Sequence, residues 1–432
     1  MSQAEKKIYY NILLLLTWSS FFFSINLNPQ EFFNYDLISK FRIILPSLLI
    51  FLVIYWKYKE IKFSKFININ SFLFYSIFFL YIFFNLINPE NNNINIFWPL
   101  YMFLSFLMIH SFTDLDEKKN LLILTSAIIF IGFAYFFIYA LSDMYKYSTI
   151  HFYGVYGGSL SYGGLESPPR SSGLSRLSLI IYALFLFYYL INEKKNIYFL
   201  ILISFFALVT LVFQSRTSSF IYIFFSIFII IFYFKKFFYD KRLIIFTIVL
   251  PILLNTSYQY LLVKQEIAFG KINIENIVRD GLLRDTWSYP ENKFNDKKKR
   301  LNKFSSDRFE NWKKAHDIIR NDYFKGYGAQ ADRLLINQSI HNAIIYTILS
   351  GGILAGIAVI LIYIYTIFLL IKFYFFTRYK LQFDFTVHFS GSILIILGLR
   401  SILETSFAVF SIDFLIYIIA FLFFNNHLKK YQ

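Results

Sequence analysis

The chain has 432 residues, of which 57% are hydrophobic, 22% aromatic and only 16% charged; 42 lysines and arginines against 26 acidic residues leave a formal net charge of +16. A soluble domain carries about 25% charged residues, so the composition excludes one and points to a polytopic α-helical membrane protein. The absence of cysteine excludes disulfides, thiolate metal sites and a cysteine nucleophile.

In chain order, Lys6 and Lys7 precede the apolar run IYYNILLLLTWSSFFFSI with no A-x-A site after it. This predicts a retained first span rather than a cleaved signal. Apolar blocks long enough to cross a bilayer then predict about twelve transmembrane helices in an all-α fold. They fall near 8–25, 43–56, 71–88, 95–112, 120–141, 176–191, 198–214, 219–234, 243–262, 343–371, 384–400 and 407–424. Nine spans thus occupy 1–262, with a Gly- and Tyr-rich loop at 142–175. A long loop containing short helices fills 263–342, and three spans fill 343–432.

Basic residues set the expected orientation. One set of short loops holds 19 lysines and arginines. The other set holds 7: Lys40, Arg42, Lys146, Arg170, Arg176, Arg216 and Arg400. Long loops do not vote. Both termini are therefore expected in the cytoplasm, with the long loop outside.

The outer face collects the unusual residues. The segment HFYGVYGGSLSYGGLESPPRSSGLSR at 151–176 has an irregular backbone by its Gly and Pro content. It carries Arg170 where charge is scarce. Its tyrosines suit a sugar surface or simply an interfacial connector. QSRTSSF at 214–220 places Arg216 against the positive-inside bias, as a binding residue or as a snorkelling one. KFNDKKKRLNK at 293–303 reads as a solvated basic run. Asp307 and Glu310 then have capping-box spacing, and Phe309, Trp312, Ala315, His316 and Ile319 make a stripe at helical period. They predict a helix over 308–320. Arg308 falls in its first turn. It either pairs with Asp307 or Glu310 or joins the free N–H groups in an anion site. His341, in QSIHNAIIY, lies at the outer end of the tenth span. Arg400 and Glu404 are spaced i,i+4, which predicts a structural ion pair. His110 and His388 lie near inner ends and read as structural.

Arginines bind diphosphates through bidentate contacts. A histidine that titrates near neutral pH can take a proton from a hydroxyl. No D-x-D, H-E-x-x-H or paired-cysteine motif occurs on this face, so no metal and no cofactor is expected. A lipid-diphosphate sugar donor with an acceptor hydroxyl fits these parts. A flippase is the alternative from another class, but no repeat is visible and the span interiors hold few ionisable residues.

W-x-x-A-x-x-I-I-x(6)-G-Y-G at 312–328, HN at 341–342 and GGILAGI at 351–357 resemble the O-antigen ligase and polymerase superfamily, bacterial inner-membrane glycosyltransferases of the GT-C type. RSSG at 170–173 and SR at 215–216 are similar to theirs. The resemblance implies Arg216 and Arg308 as diphosphate-binding residues and His341 as the catalytic residue. It also implies an undecaprenyl-diphosphate-linked glycan donor and metal-independent transfer with inversion. Further expectations are a similarly linked acceptor, a bilayer around the chain, a chain-length regulator protein as partner, and no nucleic acid. The glycine-rich loop with Arg170 points to a polymerase. The alternative is a ligase that moves the glycan to lipid A core.

Overall fold

A long apolar chain in hydrocarbon must satisfy every backbone polar group internally, which leaves helices as the local solution. The computed structural model describes residues 3–26, 35–57, 69–88, 94–110, 121, 134, 171–191, 196–212, 215–268, 308–377, 385–405, 407 and 411–430. Regular structure among them is entirely helical. The elements are α1 (Gln3–Asn26), α2 (Tyr35–Lys57), α3 (Ile69–Ile87), α4 (Ile94–His110), α5 (Ser171–Ile191), α6 (Ile197–Val212), α7 (Arg216–Phe232), α8 (Phe234–Tyr239), α9 (Arg242–Ile244) and α10 (Leu250–Ala268). They continue with α11 (Arg308–Asn321), α12 (Ala331–Leu335), α13 (Ala343–Ile371), α14 (Phe385–Leu403) and α15 (Ile412–Lys430). Two π-helical stretches, Ile245–Val249 and Lys372–Thr377, join α9 to α10 and extend α13.

Three helices among the described residues are long and apolar enough to cross a membrane: Ala343–Phe376, Phe385–Leu403 and Ile412–Lys429. Several apolar helices of 10–17 residues accompany them. The span expected over 120–141, apart from residues 121 and 134, the part of the loop expected at 142–175 that precedes Ser171, and the basic run at 293–303 lie outside the described residues; residues 171–175, expected in that loop, are the first turn of α5. Several boundaries differ from the hydropathy reading: α1 begins at Gln3 rather than 8, α2 at Tyr35 rather than 43 and α5 at Ser171 rather than 176, and α10 runs on to Ala268. The eighth run breaks at Tyr233, so α8 is a separate short helix. The last helix begins at Ile412 rather than 407. There the Ser411 hydroxyl accepts from the Asp413 N–H at 3.2 Å, which caps the helix start.

The chain forms two units, 1–131 with 308–432, and 132–307. In the first, α13 packs against α3, α11, α12 and α14, and α15 packs against α14, α4 and α1. Aromatic rings fill its core. Phe74 meets Phe106, Phe414 and Phe421 at centroid distances of 5.7, 5.9 and 5.4 Å, in the tilted and edge-on arrangements that ring quadrupoles favour. Polar side chains in these helices turn back on the backbone: Thr347 donates to Ala343 O at 2.7 Å and Thr366 to Ile362 O at 2.8 Å. That closes their hydrogen-bonding needs without water. The outward faces stay apolar. Phe51, Phe72, Phe79, Ile364 and Phe368 are all exposed, a liability in water and an ordinary surface in lipid. Between α2, α3, α4 and α13 runs an apolar groove of about 1130 Å³.

The second unit is built by α5, α6, α7 and α10. Tyr182 and Ser226 share a hydrogen bond of 3.0 Å, and Ser175 donates to Thr210 O at 2.8 Å. Buried Asp240 accepts from Tyr189 at 2.7 Å and from Arg242 Nε at 2.9 Å.

The most consequential local feature is a break in α13. Gly352 has φ 71° and ψ 179°, a region only glycine occupies readily. The break removes the partners of the Leu349 and Ser350 carbonyls. Segment 323–328 replaces them: Tyr327 N donates to Leu349 O at 2.9 Å and Gly328 N to Ser350 O at 2.8 Å. Ile353 N donates to Tyr323 O at 2.9 Å in return. A Cβ on Gly352 would sit 2.5 Å from Phe324 O, and one on Gly326 2.6 Å from Ser350 O. Gly352→Ala is therefore expected to cost roughly 1–3 kcal/mol, seen as a lowered thermal midpoint in detergent. Gly398→Ala, whose added Cβ comes no nearer than 4.0 Å to Tyr417, is the matched control and should not lower it.

Candidate functional site

The kink holds one end of α13 against a clamp built by α11. The helix carries Asn311, Trp312, Ala315 and Ile319 on one face, at the spacing that makes a stripe. Ala315 and Ile319 are buried and pack with Ala331, Ile340 and Leu349. Trp312 Nε1 donates to Ile340 O at 2.6 Å. Asn311 Nδ2 donates to Gln338 Oε1 at 2.9 Å. The buried stripe is thus not the one expected in full. Phe309 and His316 are exposed, and polar Asn311 takes a buried place because it binds the irregular stretch before α13.

That stretch ends in His341. Its φ is 52°, a left-handed conformation uncommon for a residue with a Cβ. Three contacts hold the chain there. Trp312 grips the preceding carbonyl, and Asp332 Oδ2 accepts from Ile340 N at 3.4 Å. Asn342 caps α13, its Oδ1 accepting from Ile345 N at 3.0 Å while its Nδ2 donates to Ile402 O at 3.0 Å. In the pair HN, histidine makes the turn and asparagine starts the helix.

Glu404 completes the group. Its Oε1 accepts from Arg308 Nη2 at 3.0 Å, and its Oε2 lies 2.7 Å from His341 Nδ1. Burial by itself raises this carboxyl. The His341 hydrogen bond and the charges of Arg400, His341 and Arg308 outweigh it and hold the carboxyl down at about 2. An ionised carboxylate only accepts, so Nδ1 carries the hydrogen. In the neutral imidazole the lone pair is then on Nε2.

Here the structure differs from the expected i,i+4 pair. Arg400 closes on Asp413 at 2.5 Å, with both side chains buried. Asp413 lies in the first turn of α15 and Arg400 in the last turn of α14, so each charge also complements its helix dipole. Glu404 takes Arg308 and His341 as partners, and Arg400 acts on it as a nearby charge. Arg308 does not use Glu310, which pairs with Lys314 at 3.1 Å. Asp307 lies outside the described residues, as does Arg170. Arg216 is the first residue of α7 in the second unit. His388 is buried with its ring against Phe373, centroids 5.1 Å apart.

The structure therefore joins Arg308, His341 and Glu404 from three separate stretches. The Glu404 contacts span 96 and 63 residues, and the nearer Arg400 masks them in the sequence. Among the described residues no group of three or more His, Asp or Glu side chains could hold a metal ion. The arrangement offers a guanidinium at a helix N-terminus, whose first N–H groups lack intrahelical partners, and an oriented imidazole beside it. Compared with protein-family models and with curated proteins, the chain matches none.

The depressed Glu404 carboxyl has a consequence for stability. Its contribution is present above the ordinary value of 4.5 and is lost as pH falls through that value towards about 2. Glu404→Gln is expected to lower stability on the order of 2 kcal/mol at neutral pH. The gap from wild type should close between pH 4.5 and the acid limit, read as thermal midpoints of both proteins across pH.

Proposed function

We propose that the chain is a membrane glycosyltransferase that joins undecaprenyl-diphosphate-linked oligosaccharide units, an O-antigen or related polysaccharide polymerase. The observation that carries this reading is the convergence of Arg308 and His341 on one carboxylate at the kinked end of α13. The motifs at 312–328, 341–342 and 351–357 that carry the family resemblance are the segments that interlock there.

In this reading Arg308 holds the donor diphosphate by bidentate contacts, and Arg216 is kept as a diphosphate-binding residue on the family resemblance alone. His341 Nε2 takes the proton of the acceptor hydroxyl while that oxygen attacks the anomeric carbon from the face opposite the leaving group. The bond from the anomeric carbon to the diphosphate oxygen breaks, and the electron pair leaves with undecaprenyl diphosphate, whose charge the arginines stabilise. The configuration inverts. The donor's prenyl chain is assigned to the bilayer and the apolar groove, whose α13 wall of Leu354, Ile357, Ala358 and Leu361 begins just beyond Gly352. The loop with Arg170 supplies a second anion site for the acceptor's diphosphate, which favours a polymerase over a ligase. About twelve spans in a bacterial inner membrane, both termini cytoplasmic and the site at the periplasmic face, complete the proposal. A chain-length regulator protein is the proposed partner.

A deletion strain tests the product. A single repeat unit on the core is expected. Bare core with long lipid-linked chains retained indicates a ligase, and repeat units trapped on the cytoplasmic side indicate a flippase. Reporter fusions at Lys297 and at the C-terminus are expected to lie on opposite sides of the membrane, and same-side signals would remove the outer-face assignment.

Arg308→Lys and Arg216→Lys are each expected to impair transfer despite keeping the charge. His341→Ala is expected to lose on the order of 10²–10⁴ in turnover while still inserting and binding donor. His341→Gln in a polymerisation assay across pH 5–8 separates a base from a positioning group. Near-wild-type rates without an acid limb would leave His341 as a binding residue only.

A further inference from the structure

Glu404 faces two groups with different tasks, and one carboxylate serves both. Arg308 Nη2 is 3.0 Å from one oxygen and His341 Nδ1 is 2.7 Å from the other. The surrounding charges come from every neighbouring element: Arg308 from α11, Asp332 and Arg333 from α12, and Arg400 from the end of α14, itself held by Asp413 of α15. Asp332 is committed to backbone N–H groups at Arg333 and Ile340. Glu404 is thus the carboxylate in direct contact with both the arginine and the imidazole.

We propose, on the glycosyltransferase reading, that Glu404 is a positioning residue that both fixes the His341 tautomer and restrains Arg308, so that capture of a diphosphate by Arg308 removes one of the cations that offset its negative charge beside His341. The argument has two steps. A guanidinium bond to Glu404 and a bidentate bond to a diphosphate compete for the same N–H donors, so donor binding exchanges the first for the second. Once Arg308 has left, the carboxylate keeps His341 in contact and Arg400 as a nearby charge, with one cation fewer to offset it. An imidazolium formed by taking the acceptor's proton is then stabilised most when the donor is in place. Donor capture and base strength are coupled through a single side chain, and the acceptor proton is drawn more readily once a donor is present.

The substitution Glu404→Gln separates this from a structural role, because it moves two readouts in opposite directions. An amide cannot accept from both neighbours. If its oxygen faces Arg308, its NH2 faces Nδ1, which becomes the acceptor and shifts the hydrogen to Nε2. The base lone pair is then on the wrong nitrogen, and turnover is expected to fall at least about 100-fold. Arg308, no longer held by a carboxylate, is expected to bind a diphosphate about five- to tenfold more tightly.

Three measurements on the full-length protein in nanodiscs test this: 15N spectra of the histidine rings at pH 8, assigned with His341→Gln; affinity for farnesyl diphosphate; and polymerisation rates. Wild type is expected to show His341 protonated on Nδ1, and Glu404→Gln on Nε2 with tighter farnesyl diphosphate binding. Arg308→Ala should keep the wild-type tautomer and lose the affinity. Saturating farnesyl diphosphate should move the His341 ring signals of wild type, a readout that stands even where Glu404→Gln fails to fold. An unchanged tautomer, weaker binding in folded Glu404→Gln, or unmoved ring signals in saturated wild type would overturn the proposal. The tautomer and affinity need no glycan substrate. Their appearance in a protein that transfers no sugar would support the role of Glu404 and remove the glycosyltransferase reading. Their absence in a protein that does transfer sugar would do the reverse.

Discussion

Backbone polar groups in an apolar environment must be paired within the protein, and the break at Gly352 is where this constraint shapes the molecule. A helix interrupted in hydrocarbon leaves carbonyls without partners. The Leu349 and Ser350 carbonyls are answered by the N–H groups of Tyr327 and Gly328. That pairing fixes segment 323–328 against α13, and α3 adds to it: Asn85 Oδ1 accepts from Ala329 N at 2.8 Å. With the chain held at 323–330, α11 has one place to pack, and its first residue, Arg308, arrives beside Glu404. The site is in this sense downstream of a backbone requirement. The glycines at 326 and 352 are needed for close approach, since a methyl at either would meet a main-chain oxygen.

The same logic explains why a strained histidine is tolerated. A left-handed φ at a residue with a Cβ costs on the order of 1 kcal/mol. It persists because the surrounding contacts over-determine it: Trp312 on Ile340 O, Asn342 on both Ile345 N and Ile402 O, and Glu404 on the ring itself. The strain turns the imidazole out of the helical path that Asn342 begins. A helical residue at 341 would continue α13 by one position, and its side chain would follow the helix face instead.

Much of the fold was legible in the sequence because apolar run length and helical period are local properties. The helix at 308–321 follows from the spacing of Trp312, Ala315 and Ile319, and the long apolar helices at 343–376, 385–403 and 412–429 follow from hydropathy. His341 could be singled out as an ionisable group beside an apolar run, and Arg308 as a cation in the first turn of the expected helix. Two things were not legible. The buried face of α11 includes Asn311 rather than Phe309 because its partner is a run of backbone and polar groups, which periodicity cannot see. The role of Glu404 was hidden because its partners are 63 and 96 residues away while a matching charge stands four residues back.

That hidden partner exchange has a physical cause. Arg400 has two carboxylates within reach of its charge, Asp413 and Glu404. Asp413 is fully buried at the start of α15, where an unpaired ionised carboxylate would be costly, so the contact pair forms there. Glu404 lies just past the end of α14, 16% exposed, and can be satisfied by groups from α11 and from the turn before α13. A buried pair, Arg400 with Asp413, and a less buried one, Arg308 with Glu404, thus divide four charges according to which carboxylate can least tolerate isolation. The i,i+4 rule describes an isolated helix in water, and it fails here because α14 ends at Leu403. Glu404 has already left the helix when it meets its partners.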